Sequence, residues 1–324
     1  MKKATVVIPN YNGIKYVVDC LNSLQALKEQ ELFEILVVDN GSQDGSLKLI
    51  REKFPQVQTV VLLENTGFCH AVNVGIGKSE TPFVILLNND TVVLPGFVEA
   101  LVGAIEKEER IFAVSSCMLQ WQDHGKIDDA GDQYCVLGWA YARGKGAPAA
   151  SYNKAAFVFS ACGGASIYRK SILEEIGLFD EEHFAYLEDM DISYRAAIYG
   201  YRCYYEPKAR VLHAGSATSG SRYNAFKTRL SSANNVYLIC KNMPLLQLLW
   251  NLPFLLIGFF VKTIFFFCKG MGILYIKGLI RGLCKALSAE GRCHKVPFRW
   301  KYLGNYIRIQ MALYGNLIRY PFKR

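Results

Sequence analysis

The chain has 324 residues, 51% hydrophobic and 20% charged, with 10 Pro and 27 Gly. That is enough apolar material for two ordinary domains or one large one, and it excludes wholesale disorder and collagen-like or low-complexity classes. The net charge of +9 is uneven: residues 241–324 hold 14 Lys/Arg against Glu290 alone, a local +13, while the first 240 residues carry −4 from 23 basic and 27 acidic side chains. Such an end meets something anionic, a membrane surface or a nucleic acid. No recognised RNA- or DNA-binding module accompanies it, so nucleic acid is not expected as a partner.

The elements alternate between two periods. Apolar runs at residues 5–8, 35–38, 59–63, 83–87 and 112–114 read as buried strands. Between them, Val17, Val18, Leu21 and Leu24 have helical spacing, as do Leu47, Ile50 and Phe54, and Phe97, Leu101 and Ile105, with Pro95 as the start of the last helix. This predicts an α/β fold with a mostly parallel sheet covered by helices on both faces. Ligands of such sheets sit beyond the carboxyl ends of the strands, and four strand ends carry polar clusters: Pro9-Asn10-Tyr11-Asn12-Gly13, residues 39–45, residues 64–68 with Asn73 further on, and Asn88-Asn89-Asp90. One such cluster is an ordinary turn; four at the ligand edge mark a site.

Residues 157–218 have a different character. Gly163-Gly164 precedes Glu188-Asp189-Met190-Asp191, which opens a predicted helix. Acidic residues suit a helix N-terminus, and Asp191 and Arg195, four apart, make a structural pair. Glu188 and Asp189 repel one another, which raises one pKa and makes a candidate general base. His213 follows the apolar run 210–212 and is a candidate metal ligand. Competing motifs fail. A P-loop ending at Gly77-Lys78-Ser79 would need glycine where Val72 stands, and no G-x-G-x-x-G or G-x-S-x-G is present where it would be needed. The ten cysteines form no C-x-x-C pair, so they read as scattered thiols of a reducing compartment. The N-terminal apolar run at residues 4–8 is shorter than the ~7–15 residues of a signal sequence. The catalytic part is therefore expected in the cytosol.

Together these stretches resemble the family 2 inverting glycosyltransferases of GT-A fold, closest to the rhamnosyltransferase-like members. The matching segments are VVIPNYNG (6–13), VVDNGSQDGS (37–46), ENTGFCHAVNVGI (64–76), LLNNDT (86–91), ACGGASIYRKSILEEIGLFDE (161–181), FAYLEDMDISYRAAIYGY (184–201) and VLHAGSAT (211–218). The resemblance implies that Pro9, Asn10 and Tyr11 line the nucleotide pocket, that Asp39 bonds the base, and that Asn65, Asn73 and Asn89 border the donor. It makes Asp90 the metal-binding end of a D-x-D element whose first residue here is Asn88, Asp189 the catalytic base with Glu188 beside it, and His213 a second metal ligand. Gly163, Gly164, Trp139 and Phe184 would hold donor and acceptor in line. The implied cofactor is Mg²⁺ or Mn²⁺, the donor a nucleoside-diphosphate sugar (dTDP-L-rhamnose first, UDP-hexoses next), and the acceptor a saccharide or lipid-linked saccharide. A single base implies single displacement with inversion. A processive synthase would carry Q-x-x-R-W, but Arg299-Trp300 follows Val296. A non-catalytic membrane-bound interaction protein of the same fold is the alternative from another class.

The expected division is a catalytic domain at 1–225, with a nucleotide-sugar half (1–120) and an acceptor half (121–225), followed by a helical membrane-associating region at 226–324. Residues 242–261 carry no charge and are long enough to cross a bilayer, but contain Pro244, Gln247, Asn251 and Pro253. A single crossing would separate the basic tail from a cytosolic catalytic domain, so in-plane or re-entrant attachment is expected. Residues 265–267 would then dip into the interface, and Lys269, Lys277, Arg281 and Lys285 would meet anionic headgroups. A soluble fold or a homodimer interface are the other uses of these helices.

Overall fold

A computed structural model describes residues 2–215 and 223–320. The end of the VLHAGSAT segment, residues 216–218, lies outside the described residues. The first half alternates strands and helices: β1 (Ala4–Asn10), α1 (Val17–Gln25), β2 (Phe33–Asn40), α2 (Ser46–Lys53), β3 (Gln58–Leu62), α3 (Phe68–Lys78), β4 (Phe83–Leu87), β5 (Thr91–Val93), α4 (Phe97–Ile105) and β6 (Ile111–Gln120). There follow β7 (Asp123–Asp129), β8 (Asp132–Cys135), β9 (Trp139–Ala142), β10 (Ala156–Val158), β11 (Ala165–Arg169), α5 (Lys170–Ile176), α6 (Glu188–Tyr199) and β12 (Arg202–His213). The C-terminal part is helical: α7 (Ala225–Asn242), α8 (Leu245–Cys268), α9 (Gly272–Leu287), α10 (Ala289–Cys293) and α11 (Leu303–Ile318).

The main sheet runs β10-β12-β6-β11-β4-β1-β2-β3. β4, β1, β2 and β3 are parallel, while β11 is antiparallel to both its neighbours, so the sheet is mixed. Alternation along the strands builds two cores. Val6 and Ile8 of β1 pack with Leu21 and Leu24 of α1 and with Phe97 and Leu101 of α4. Val7 faces the other way, with Val72 of α3, Leu173 of α5 and Ile192 of α6. α6 has a second apolar face, Met190, Tyr194 and Ile198, which joins Leu238 of α7, Leu255 of α8 and Leu313 of α11 in a third core. The GT-A expectation holds in the strand order and helix layers.

Several local expectations shift. The helix assigned to Pro95 begins at Phe97, because Gly96 takes a left-handed conformation (φ 79°) and turns the chain there. Phe54 lies just past the end of α2. The Asp191–Arg195 pair forms, with Nε donating to Oδ2 at 3.1 Å. Of residues 265–267, Phe266 is buried and stacked on Tyr275, so only Phe265 and Phe267 face outward. Lys285, expected at headgroups, turns inward: its ammonium donates to the Glu182 carbonyl and lies over the Tyr237 ring.

Candidate active site

Register brings the motifs together. β1 and β2 pair with Asn10 opposite Asp39, so the Asn10 Nδ2 donates to Asp39 Oδ1 (2.8 Å) and to Ser46 Oγ (2.9 Å). Asn10 Oδ1 accepts from Asn89 Nδ2 (2.8 Å), which ties the ends of β1 and β4. Antiparallel pairing of β12 with β5 sets His213 opposite Thr91, directly after Asp90. His213 Nε2 is then 3.4 Å from Asp90 Oδ1, and His213 Nδ1 is 2.8 Å from Asp128 Oδ2.

These strand ends open on a cavity of about 960 Å³. Pro9, Asn10, Tyr11, Asn65, Asn89 and Asp90 line one part of it, and His213, Gly163, Gly164, Phe184, Glu188 and Asp189 the other. Three expected residues lie off it. Asp39 is buried one layer behind, bonded to Asn10 and to the Ser42 N–H (3.1 Å) rather than open to a base. Asn73 on α3 exchanges hydrogen bonds with the Phe179 backbone (2.8 and 3.1 Å), and so braces the loop that leads to α6. Trp139 is turned toward the C-terminal helices, where its Nε1 donates to the Gly258 carbonyl (3.1 Å) and its ring meets Tyr320; its neighbours Ala140 and Tyr141 line the cavity instead.

The wall ahead of α6 is held in an unusual conformation. Phe184, Tyr186 and Leu187 all have positive φ (59°, 71° and 68°), each costing about 1–3 kcal/mol. Asn234 of α7 holds this loop, its Nδ2 shared among the carbonyls of His183, Ala185 and Tyr186 (2.8–2.9 Å). On the other side the Phe184 carbonyl accepts from Phe68 N (2.7 Å) at the start of α3. That contact needs Gly67, whose φ is +91° and where a Cβ would lie 2.6 Å from the Phe184 ring.

The family model described as Glycosyl transferase family 2 matches residues 5–177. The chain belongs to that family. This glycosyltransferase is 27% identical over 241 residues to the N-acetylglucosaminyl-diphospho-decaprenol L-rhamnosyltransferase of Mycobacterium tuberculosis, covering 66% of this chain and 77% of that protein. Its fold is similar to S. aureus TarS 1-349 (TM-score 0.58, 18% identity, 99% of this chain and 93% of that one). It is also similar to GalNAc-T7, solved with UDP, GalNAc and Mn²⁺ (TM-score 0.60, 17% identity, 74% of this chain), of which the chain spans about half, 48%.

The electrostatics of the glycosyltransferase's cavity separate its acidic groups. Burial, reinforced by the charge of Asp189, pushes the Glu188 carboxyl up to about 8, and its Oε2 has no hydrogen-bond partner. Burial also raises Asp189, but the Met190 N–H (2.7 Å) and the Gly163 N–H (3.4 Å) donate to its carboxylate and oppose the shift. The two N–H donors therefore favour Asp189 over Glu188 as the seat of the pair's negative charge.

Sequence reasoning missed the segment Asp128-Asp129-Ala130-Gly131-Asp132. Burial works against the charge on Asp128, but His213 and Lys145 outweigh it and hold its pKa near 2. Burial alone would lower His213; its carboxylate partners, Asp128 and Asp90, carry it to about 9. Asp132 lines the cavity, and burial with the charges of Asp129 and Asp189 raises its pKa well above the usual range. Asp129, Asp132 and Cys162 bring potential ligand atoms within 4.8 Å of one another. Three carboxylates in five residues were the available signal.

A divalent cation would fit the Asp90–His213 pair by displacing the imidazole proton that Asp90 and Asp128 hold there. One carboxylate oxygen and one imidazole nitrogen face each other, and the other ring nitrogen is held by a carboxylate, the support that orients metal-ligating histidines. A second cluster, Asp180, His183 and Asp191, needs no ion: the Lys241 ammonium already bridges its carboxylates at 2.6 and 2.8 Å.

Proposed function

We propose that this family 2 glycosyltransferase moves a sugar, with inversion, from a nucleoside-diphosphate donor to a hydroxyl of a saccharide or lipid-linked saccharide acceptor in cell-surface polysaccharide synthesis. The observation that carries the reading is the Asp189 carboxylate, fixed by two backbone N–H groups at the cavity wall beside a neutral Glu188. In the reaction the acceptor oxygen attacks the anomeric carbon, its proton passes to Asp189, and the bond from that carbon to the diphosphate oxygen breaks. Burial and neighbouring charge raise the Glu188 carboxyl to about 8 and push Asp132 well above the usual carboxylate range. Both shifts disfavour the carboxylate form that a covalent nucleophile needs, which favours single displacement.

Pro9, Asn10, Tyr11, Asn65 and Asn89 would border the donor, with Asp39 supporting Asn10 from behind. Gly163, Gly164 and Phe184 would position donor and acceptor. Asp90 and His213 would hold Mg²⁺ or Mn²⁺, which when bound offsets charge on the leaving diphosphate; the Mn²⁺ of GalNAc-T7 supports this. The similarity to an L-rhamnosyltransferase makes dTDP-L-rhamnose the first donor to test, and the UDP of GalNAc-T7 keeps UDP-hexoses next. The catalytic domain, residues 1–225, would work at the cytoplasmic face, where nucleotide sugars are made.

The test is a panel of nucleotide sugars with detection of released nucleotide and the anomeric configuration of the product. Asp189→Asn keeps shape but removes the proton acceptor, so turnover should fall ~10²-fold or more with donor affinity within a few-fold. Equal turnover of Asp189→Asn and wild type on the true acceptor, or a product of retained configuration, would sink the reading.

A further inference from the structure

The outer surface of α8 is built in reverse, and α9 and α11 beside it also expose large apolar side chains. On α8 the polar side chains point inward. Asn251 is fully buried and exchanges hydrogen bonds with Gln310 (2.9 and 2.7 Å), Gln247 donates to Gln310 and accepts from Tyr194, and the helix's single charge, Lys262, lies over the Trp139 ring. Its apolar side chains point out: Leu246 is 79% exposed, Trp250 67%, Phe260 65% and Leu256 59%. On α9, Tyr275, Gly278 and Gly282 are buried, the two glycines against α7, while Ile273, Ile276, Ile280, Leu283 and Leu287 form an exposed row at helical spacing. At 3.6 residues per turn, Lys277 and Arg281 fall between those two rows. Ile307 and Met311, flanking the Gln310 that ties α11 to α8, are exposed as well. Water-soluble monomers rarely expose a contiguous apolar patch beyond a few hundred Å².

We propose that this face lies in the plane of an anionic lipid bilayer, with α8 immersed lengthwise and not crossing it. Charge complementarity selects lipid as the occupant: the helices belong to a segment with 14 Lys/Arg and one acidic residue, and cations beside an apolar row suit an anionic interface. Attachment selects the orientation. α8 has 24 residues, enough by length and composition to cross a membrane, but Gln247, Asn251, Leu255 and Gly258 pin one stripe of it to the catalytic body. At Gly258 the approach is so close that a Cβ would lie 2.0 Å from the Leu137 carbonyl oxygen. A crossing helix would have to drag β8 and β9 into hydrocarbon. Phe226, which lines the cavity, and Tyr223, which packs on Phe265, place the cavity mouth beside the immersed end. The inference does not rest on the transferase reading, since lipid binding is measured without substrate.

The test floats the purified full chain with phosphatidylglycerol–phosphatidylcholine vesicles and with pure phosphatidylcholine vesicles. It should float with the first, more weakly with the second, and less in high salt. Phe260→Asp and Ile280→Asp replace exposed side chains, so melting temperature should hold while vesicle partitioning falls about tenfold or more. Lys277→Glu with Arg281→Glu should remove the preference for phosphatidylglycerol. Orientation is read by impermeant maleimide labelling of native Cys268 and of Leu245→Cys, at the two ends of α8, with Cys284 and Cys293 changed to Ser. Labelling of both ends from one side supports in-plane seating; labelling from opposite sides overturns it. A chain that ignores both vesicles overturns the proposal, whether it stays monomeric or forms a dimer that Ile280→Asp breaks.

Discussion

Replacing Glu188 with Gln should stabilise the protein, and by more as pH rises. Glu188 sits at the first position of α6, 8% exposed, with its Oε2 unpartnered and Asp189 next to it. Its pKa rises from the ordinary 4.5 to about 8. The folded state therefore holds this proton more tightly than the unfolded chain, and stability falls as pH climbs from about 4.5 to about 8. At pH 7.5 about three pH units at ~1.4 kcal/mol each set a ceiling near 4 kcal/mol. At about 2–4 °C per kcal/mol for a large domain, a gain of about 1–4 kcal/mol makes Glu188→Gln melt several degrees above wild type at pH 8 and close to it at pH 5. Thermal melts of both proteins without ligand, from pH 5 to 8.5, read this directly. In an Asp189→Asn background the gap should shrink, because the repelling charge is gone. A gap that does not change with pH, or a Gln variant less stable at pH 8, would refute the reasoning. Glu188→Gln should also retain turnover within a few-fold, since it replaces a carboxyl that is already neutral.

Other consequences are equally direct. Chelation with EDTA should abolish transfer, and Asp90→Ala, His213→Ala and, about 10–100-fold, Asp128→Asn should each weaken Mn²⁺-dependent donor binding measured by calorimetry; a rate indifferent to EDTA removes the metal assignment. Lys241→Met leaves Asp180 and Asp191 buried without their shared cation (2.6 and 2.8 Å), and urea denaturation should report a loss of about 3–5 kcal/mol. Asn234→Ala frees three carbonyls of the positive-φ loop, so kcat should fall with donor Kd nearly unchanged; an equal loss in both would make Asn234 a stability residue only.

The first 120 residues were largely legible because their signals are local. Strand runs, helical spacing and the polar strand ends at 9–13, 39–45, 64–68 and 88–90 are each read within a few residues, and parallel pairing in the order β4-β1-β2-β3 brings the four ends to one edge. Even the Asp90–His213 approach follows from a strand, β12, ending beside the one that starts after Asp90. Strands β7 to β10 escaped because they are short or polar and alternate weakly, although β7 pairs with the neighbouring β6 and β8 with β9, and of the four β10 alone has a distant partner, β12. With them escaped the Asp128–Asp132 segment, whose acidity reads equally well as a solvated turn until the sheet folds it under His213.

What failed in the site failed for one physical reason. Aromatic or amide type says what a side chain can bind, but not which neighbour reaches it first. Trp139 was a plausible platform for a sugar; its indole N–H is instead claimed by a carbonyl 119 residues later. Asn73 was a plausible donor contact; its amide is claimed by a backbone 106 residues later. A buried N–H left without a partner costs about 1–3 kcal/mol, so the fold places such groups where long-range partners wait, and no local pattern encodes that choice. The carboxylates behave differently. Glu188 and Asp189 are costly to bury wherever they go, and with no cation contact for either among the described residues, structural pairing does not explain their place there. Lys241 marks the contrast. Where Asp180 and Asp191 serve the fold, a buried ammonium neutralises them; where Asp189 faces the cavity, no cation contact among the described residues does so, as the proposed proton acceptor requires.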